Sequence, residues 1–145
     1  MHSNDLLNLA SFRNAVDYLA NSLKALGDRR WLDELPAGRR QVVEAGVIQN
    51  FEMVYELSVK NLKRRLLRDW PSSTEIEQAG FRTLLRIGGE VGLIAEVEHW
   101  FDYRRKRNIT SHTYDQSKAA EVLKTVPLFL EDARLLLAAL ERRNG

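Results

Sequence analysis

From Arg39 to about Asp69 the chain carries apolar residues at helical spacing without a break. Val43, Val47, Phe51, Val54, Tyr55, Ser58, Leu62 and Leu66 trace one face of this stretch. Steps of three and four residues place such a set on one side of an α-helix, whereas a strand needs strict alternation. Nothing elsewhere in the chain shows that alternation, and no internal repeat or low-complexity tract occurs. The pattern predicts an all-α fold, an antiparallel up-down bundle of four or five helices.

The remaining segments fit the same architecture. Leu6, Leu9, Phe12, Val16, Leu19, Leu23 and Leu26 predict a first helix over Asp5–Leu26, capped by Asn4 or Ser3 and stopped by Gly27. Asp28 to Gly38 reads as a connector, with Trp31, Leu32 and Leu35 expected against the core. Trp70-Pro71 ends the long helix, because a residue preceding proline is pushed out of the α region. Ser72-Ser-Thr-Glu75 has the form of a capping box and opens a helix to about Ile87, which Gly88-Gly89 is expected to break. A further helix is predicted from Leu93 or Ile94 to Arg107, with Leu93, Val97, Trp100 and Phe101 inward and Arg104 and Arg107 continuing that face. From Asp115 onward Ala119, Val122, Val126, Phe129, Ala133, Leu136 and Leu140 give a last helical segment. Pro127 removes a backbone donor inside it, so a kink or break is expected there.

Composition narrows the function classes. A length of 145 residues with 44% hydrophobic and 29% charged residues suits one domain with a sizeable core. No run of about 18 apolar residues is present to span a membrane, and the polar start Met1-His2-Ser3-Asn4-Asp5 lacks the order of a secretory signal. The absence of cysteine excludes disulfides and thiolate metal sites, and it fits a cytoplasmic location. A net charge of +2 is too small to imply nucleic-acid binding by bulk electrostatics. Cations do cluster locally: Lys60, Lys63, Arg64, Arg65 and Arg68 crowd the end of the long helix, where they complement its dipole. On other sides of that helix lie Gln49, Glu52, Glu56 and Lys60. They form either a solvated face, with Glu56 and Lys60 as an i,i+4 pair, or the lining of a groove or interface.

The chemistry concentrates between the last two helices, in Tyr103-Arg-Arg-Lys-Arg107-Asn-Ile-Thr-Ser-His112-Thr-Tyr114-Asp115. Arg107, His112 and Tyr114 stand at the spacing Arg-x4-His-x-Tyr, beside the amide of Asn108 and the hydroxyl of Ser111. With a helix end on one side and a helix start on the other, Arg107 and His112 are expected to point into one space. An imidazole exchanges protons near neutral pH. A guanidinium holds phosphoryl oxygens through two parallel hydrogen bonds. The pair is a minimal kit for phosphodiester cleavage, with histidine as acid or base and arginine balancing charge on the phosphorane. No cofactor is indicated and no metal is required. His2, His99 and His112 share no metal-ligand spacing, and no Asp-x-Asp occurs.

Two separated motifs carry a resemblance: Gly46-Val-Ile-Gln-Asn-Phe-Glu-Met-Val-Tyr-Glu-Leu-Ser-Val-Lys60-Asn-Leu-Lys63, and, after Trp100, Arg107-Asn-Ile-Thr-Ser-His-Thr-Tyr-Asp115. Together they resemble the nucleotidyltransferase substrate-binding protein family, part of the HEPN superfamily of helical proteins. The resemblance implies a HEPN-like bundle that forms a homodimer around two Arg-x4-His-x-Tyr motifs. It also implies a cognate minimal nucleotidyltransferase, separately encoded, as partner in a toxin–antitoxin-like pair. Relatives with this motif are similar to toxin ribonucleases acting on RNA, which such a partner neutralises in some cases by adding AMP to the motif tyrosine. Carried over, Arg107 and His112 would be the ribonuclease pair and Tyr114 the modification acceptor. The chain lacks the Gly-Ser and Asp-x-Asp signature of the transferase, so it is not the transferase itself.

Overall fold

The computed structural model describes residues 6–144, and among them there is no strand. Seven helices follow in order: α1 (Ala10–Gly27), α2 (Arg29–Asp33), α3 (Ala37–Asp69), α4 (Ser73–Gln78), α5 (Phe81–Glu90), α6 (Val97–Ile109) and α7 (Gln116–Arg143). A short 3-10 turn, Thr110–His112, links α6 to the last helix. The long helices α1, α3 and α7 pack on one another, and α6 lies along α7. Their apolar stripes meet in a core whose largest fully buried side chains include Phe12, Phe51, Trp100, Tyr103 and Phe129. Among the described residues no helix is long and apolar enough to cross a membrane.

The helical periods hold, and the boundaries move where distant contacts outweigh local preference. The caps expected at Ser3 and Asn4 lie outside the described residues, and α1 begins only at Ala10. Leu7 and Leu9 are buried ahead of it. The Asn144 side chain clasps the backbone of Leu7, accepting from its N–H at 3.1 Å and donating to its carbonyl at 2.9 Å. The expected connector folds partly into α2, because Asp28 Oδ1 accepts the Trp31 N–H at 3.1 Å and caps a helical turn. Leu32 is buried there, whereas Trp31 stays exposed rather than joining the core. At Ser72 only half of the capping box forms. Its Oγ accepts the Glu75 N–H at 3.2 Å, while the Glu75 carboxylate turns to the Trp70 indole N–H at 2.9 Å.

The Gly88-Gly89 break is corrected. The helix is interrupted earlier, at Ala79-Gly80, and α5 runs through both glycines to Glu90. A Cβ on Gly88 would sit 2.9 Å from Ile94 Cγ1 and 3.1 Å from Leu62 Cδ1, and one on Gly89 would sit 2.7 Å from Val97 Cγ2. These glycines therefore let α5 approach its neighbours closely. The residue that stops the helix is Gly92, at φ +81. Leu93 N–H donates to the Gly88 carbonyl at 2.9 Å and Gly92 N–H to that of Gly89 at 3.2 Å, a Schellman closure that needs a left-handed residue. It carries Leu93 and Ile94 into the core as a loop, so α6 begins at Val97. Pro127 causes no break either: α7 continues through it, with the proline on the exposed side and Val126, Phe129 and Leu130 buried around it.

Candidate functional site

Arg107 occupies the last turn of α6, whose C-terminus is closed by Thr110 Oγ1 donating to the Arg107 carbonyl at 2.7 Å. Its guanidinium reaches back to α3. Nη2 donates to Glu56 Oε1 at 2.7 Å, Nη1 lies 3.5 Å from Glu52 Oε2, and Nη1 donates to Thr110 Oγ1 at 3.3 Å. The hydrogen bond to Glu56 holds the guanidinium's pKa above its ordinary value, with burial opposing and the Glu52 charge adding to the effect. The cation is therefore permanent.

His112 ends the 3-10 turn and is exposed. Its Nδ1 lies 3.5 Å from Tyr114 Oη, and the two rings meet edge to face at 6.0 Å. Tyr114 is 84% exposed. Next to it Asp115 caps α7, accepting from Ser117 N–H at 2.9 Å and from Ser117 Oγ at 2.7 Å. Those hydrogen bonds lower the Asp115 pKa. A groove of about 700 Å³ opens beside Tyr114, between α3 and the start of α7, lined in part by Gln41, Glu44 and Ile48.

The residues singled out in the sequence thus fall into two groups. Arg107 gathers Glu52 and Glu56 around itself, and His112 pairs with Tyr114. Among the described residues no hydrogen bond or ion pair joins Arg107 to His112, and the guanidinium is engaged by the carboxylates of α3. The Glu56–Lys60 pair anticipated along α3 is replaced by the Glu56–Arg107 pair. Gln49, Lys60, Asn108 and Ser111 are exposed. Of the cations at the end of α3, Arg65 is buried, donating to Asp69 at 2.9 Å and to Asn144 at 3.2 Å. It belongs to the fold rather than to the exposed cluster of cations.

Two features escaped the sequence. Tyr103, the first residue of the polar stretch, is buried in the core with its hydroxyl donating to Asp132. His99 Nδ1 lies 2.8 Å from the same carboxylate oxygen. The available signal was an acid inside the apolar stripe of α7, between Phe129 and Leu136. The other is an arrangement of arginines over phenyl rings between α5 and α6: the Arg104 guanidinium stands 4.5 Å from the Phe81 centroid and that of Arg82 stands 4.4 Å from Phe101. Among the described residues no cluster of three His, Asp or Glu side chains could hold a metal ion.

Comparison with known proteins places this geometry in a family. The family profile described as nucleotidyltransferase substrate binding protein like matches residues 7–142. A Haemophilus influenzae protein named as a probable ribonuclease HepT is 41% identical over 140 residues, covering 97% of this chain and 96% of that protein. A solved structure from Haemophilus influenzae, presented as the fold of a substrate binding domain of a nucleotidyltransferase, superposes with a TM-score of 0.91. It is 40% identical and covers 92% of this chain and 99% of its own. A crystal structure from Thermus thermophilus, 22% identical with a TM-score of 0.62 over 84% of this chain and 98% of that one, shares the fold. This helical chain belongs to the nucleotidyltransferase substrate-binding protein family.

Proposed function

We propose that this chain is the helical partner subunit of a separately encoded minimal nucleotidyltransferase, in a toxin–antitoxin-like pair, and that the partner adds AMP to Tyr114. The observation that carries this reading is the phenol: it is 84% exposed, stands 3.5 Å from His112 Nδ1, and borders a groove of about 700 Å³. That volume falls in the range of small-molecule sites. In the transfer, Tyr114 Oη attacks the α-phosphorus of ATP and the bond to the β-phosphate oxygen breaks. Pyrophosphate leaves, and the phenolic proton passes to His112 or to water. The partner would bring the metal and triphosphate site. The chain would work as a homodimer. Glu52 and Glu56, for which a partner surface was anticipated, are satisfied within the chain, and exposed Val42 and Met53 on α3 are the better candidates for a subunit contact.

The test is intact mass after incubation with the cognate transferase, ATP and Mg²⁺. The wild type should gain one or more AMP units and Tyr114→Phe none. Equal labelling of both would remove Tyr114 from the scheme.

A second reading is favoured by the Arg-x4-His pair and by the name of the 41% identical relative. Here the chain is itself a metal-independent ribonuclease, silenced by the modification. Attack by a ribose 2′-hydroxyl would leave a cyclic phosphate, with His112 as acid or base and Arg107 balancing the phosphorane charge once a phosphate displaces Glu56. Cleavage of RNA should survive EDTA, spare DNA, and fall by about 10²–10⁴ in His112→Ala. Cleavage lost to EDTA, or retained in that variant, would reject this mechanism.

A further inference from the structure

The crossing of α5 and α6 builds a second surface beside Arg107. Phe81 on α5 and Phe101 on α6 lie edge to face at 6.2 Å. Each helix lends an arginine to the other's ring, Arg104 over Phe81 at 4.5 Å and Arg82 over Phe101 at 4.4 Å. The result is a four-membered ladder, Arg104–Phe81–Phe101–Arg82. Arg82 and Arg104 are both exposed residues, and among the described residues neither side chain makes a hydrogen bond or ion pair. A guanidinium resting on a ring keeps its in-plane N–H donors and its outer face available.

Two clefts adjoin the ladder, of about 510 Å³ and 490 Å³, and they share Phe81, Arg104 and Asn108. The combined trough runs from Arg82 to Arg107 and is lined by five cations but one acid, Glu56. The chain as a whole has 22 basic and 20 acidic residues, so the lining is locally rich in cations. Arg105 and Arg107 are paired there, with Asp102 at 3.1 Å and with Glu52 and Glu56, and Arg82 and Arg104 are the cations the proposal turns on. Covering two phenyl rings would need only the arginine stems. It does not require that acids be kept out of the trough or that the heads stay unpaired. Planar cations stacked on rings, with an exposed amide at Asn108, match what single-stranded nucleic acid offers: flat bases, phosphates and base edges.

We propose that the Arg104–Phe81–Phe101–Arg82 ladder is a stacking platform for single-stranded RNA, leading the strand to Arg107. The proposal deepens the ribonuclease reading and rests on it for the direction of the strand. Bases stack on the outer faces of Arg82 and Arg104, and Lys63 and Arg105 meet the backbone. The platform is a binding element and takes no part in bond breaking.

The experiment measures fluorescence anisotropy of a labelled single-stranded RNA oligonucleotide, with EDTA present, on the full chain carrying His112→Ala so that binding is separated from cleavage. Adding Arg82→Ala or Arg104→Ala should weaken binding about 5- to 150-fold, the range that loss of base stacking gives. Arg104→Lys should recover only part of the loss, since it restores charge without the plane. In the otherwise wild-type chain, the same alanine changes should raise KM and leave kcat unaltered. Circular dichroism and melting confirm folding, and both arginines are exposed surface residues. Affinity unchanged in these variants overturns the proposal, as does equal affinity for duplex RNA. So does loss of transferase binding with RNA affinity intact, which would assign the trough to a protein partner. RNA binding that depends on Arg104 without any cleavage by the wild type leaves the platform standing and removes the ribonuclease reading. Cleavage with an unchanged KM in the arginine variants does the reverse.

Discussion

Tyr103→Phe removes one oxygen atom from the centre of the bundle and leaves the ring in place. That ring is fully buried, edge to face with Trp100 at 5.3 Å and with Phe129 at 5.0 Å, and phenylalanine keeps both contacts. No cavity term of consequence arises, so the cost is electrostatic. The Asp132 carboxylate is 6% exposed and has two donors, the Tyr103 hydroxyl and His99 Nδ1; the variant leaves it one. A hydrogen bond to a charged group is worth about 1.5–3 kcal/mol. For a chain of this size that corresponds to a fall in Tm of about 3–12 °C. The pH dependence supplies a sharper check. Burial first, and then the hydrogen bond and charge of Asp132, push the Tyr103 phenol well above its ordinary value. In the unfolded chain a tyrosine titrates near 10. A raised native value means that this stabilisation is complete below that pH. It is lost as pH rises further, by about 1.4 kcal/mol per pH unit, because only the unfolded chain releases the proton. The phenylalanine variant has no such proton. Urea midpoints at pH 8, 10 and 11 should therefore show a gap between wild type and variant that is largest at pH 8 and narrows above pH 10. Tyr55, which burial also raises, is present in both proteins and cancels from the difference. A variant as stable as wild type at pH 8, or a gap constant to pH 11, would refute the buried phenol–carboxylate bond as a source of stability.

Gly88→Ala and Gly89→Ala should both destabilise the fold in thermal melts. Overpacking against Ile94 and Val97 costs about 1–3 kcal/mol and outweighs the roughly 1 kcal/mol gained in helix propensity. Gly46→Ala, with nothing within 4 Å of its added Cβ inside α3, should instead gain about 0.5–1 kcal/mol. Asn144→Ala should destabilise by about 1–3 kcal/mol and speed hydrogen exchange at the Leu7 amide, since the change leaves Leu7 and Arg65 without their shared partner. Arg107→Ala should alter stability by less than about 1 kcal/mol, because its carboxylate partners on α3 are partly exposed. A loss of several kcal/mol on denaturant titration would make it a structural residue instead.

What the sequence by itself determined were the properties fixed within a few residues of one another. Apolar residues three and four apart set the helices, and Asp115 and Ser72 cap theirs from two or three residues away. The Arg-x4-His-x-Tyr spacing was legible as a candidate for the same reason, because all its members lie in one short segment, whereas their grouping into Arg107 with Glu56 and His112 with Tyr114 was not. The Gly88-Gly89 break was misread by the same local logic, and of the kink or break expected at Pro127 the break does not occur: both outcomes depend on what packs around them. In α7 the buried neighbours of Pro127 hold the helix together across the missing donor, and in α5 the two glycines answer to Leu62, Ile94 and Val97. The partners of the key side chains belong to tertiary structure alone. Glu56 stands 51 residues from the Arg107 it holds, Asp132 stands 33 from His99, and the two arginine–phenyl pairs exist only because α5 crosses α6. Which cation meets which carboxylate is decided by a difference of a few kcal/mol among competing pairings, and that difference is set by distance and burial, which a linear pattern does not contain.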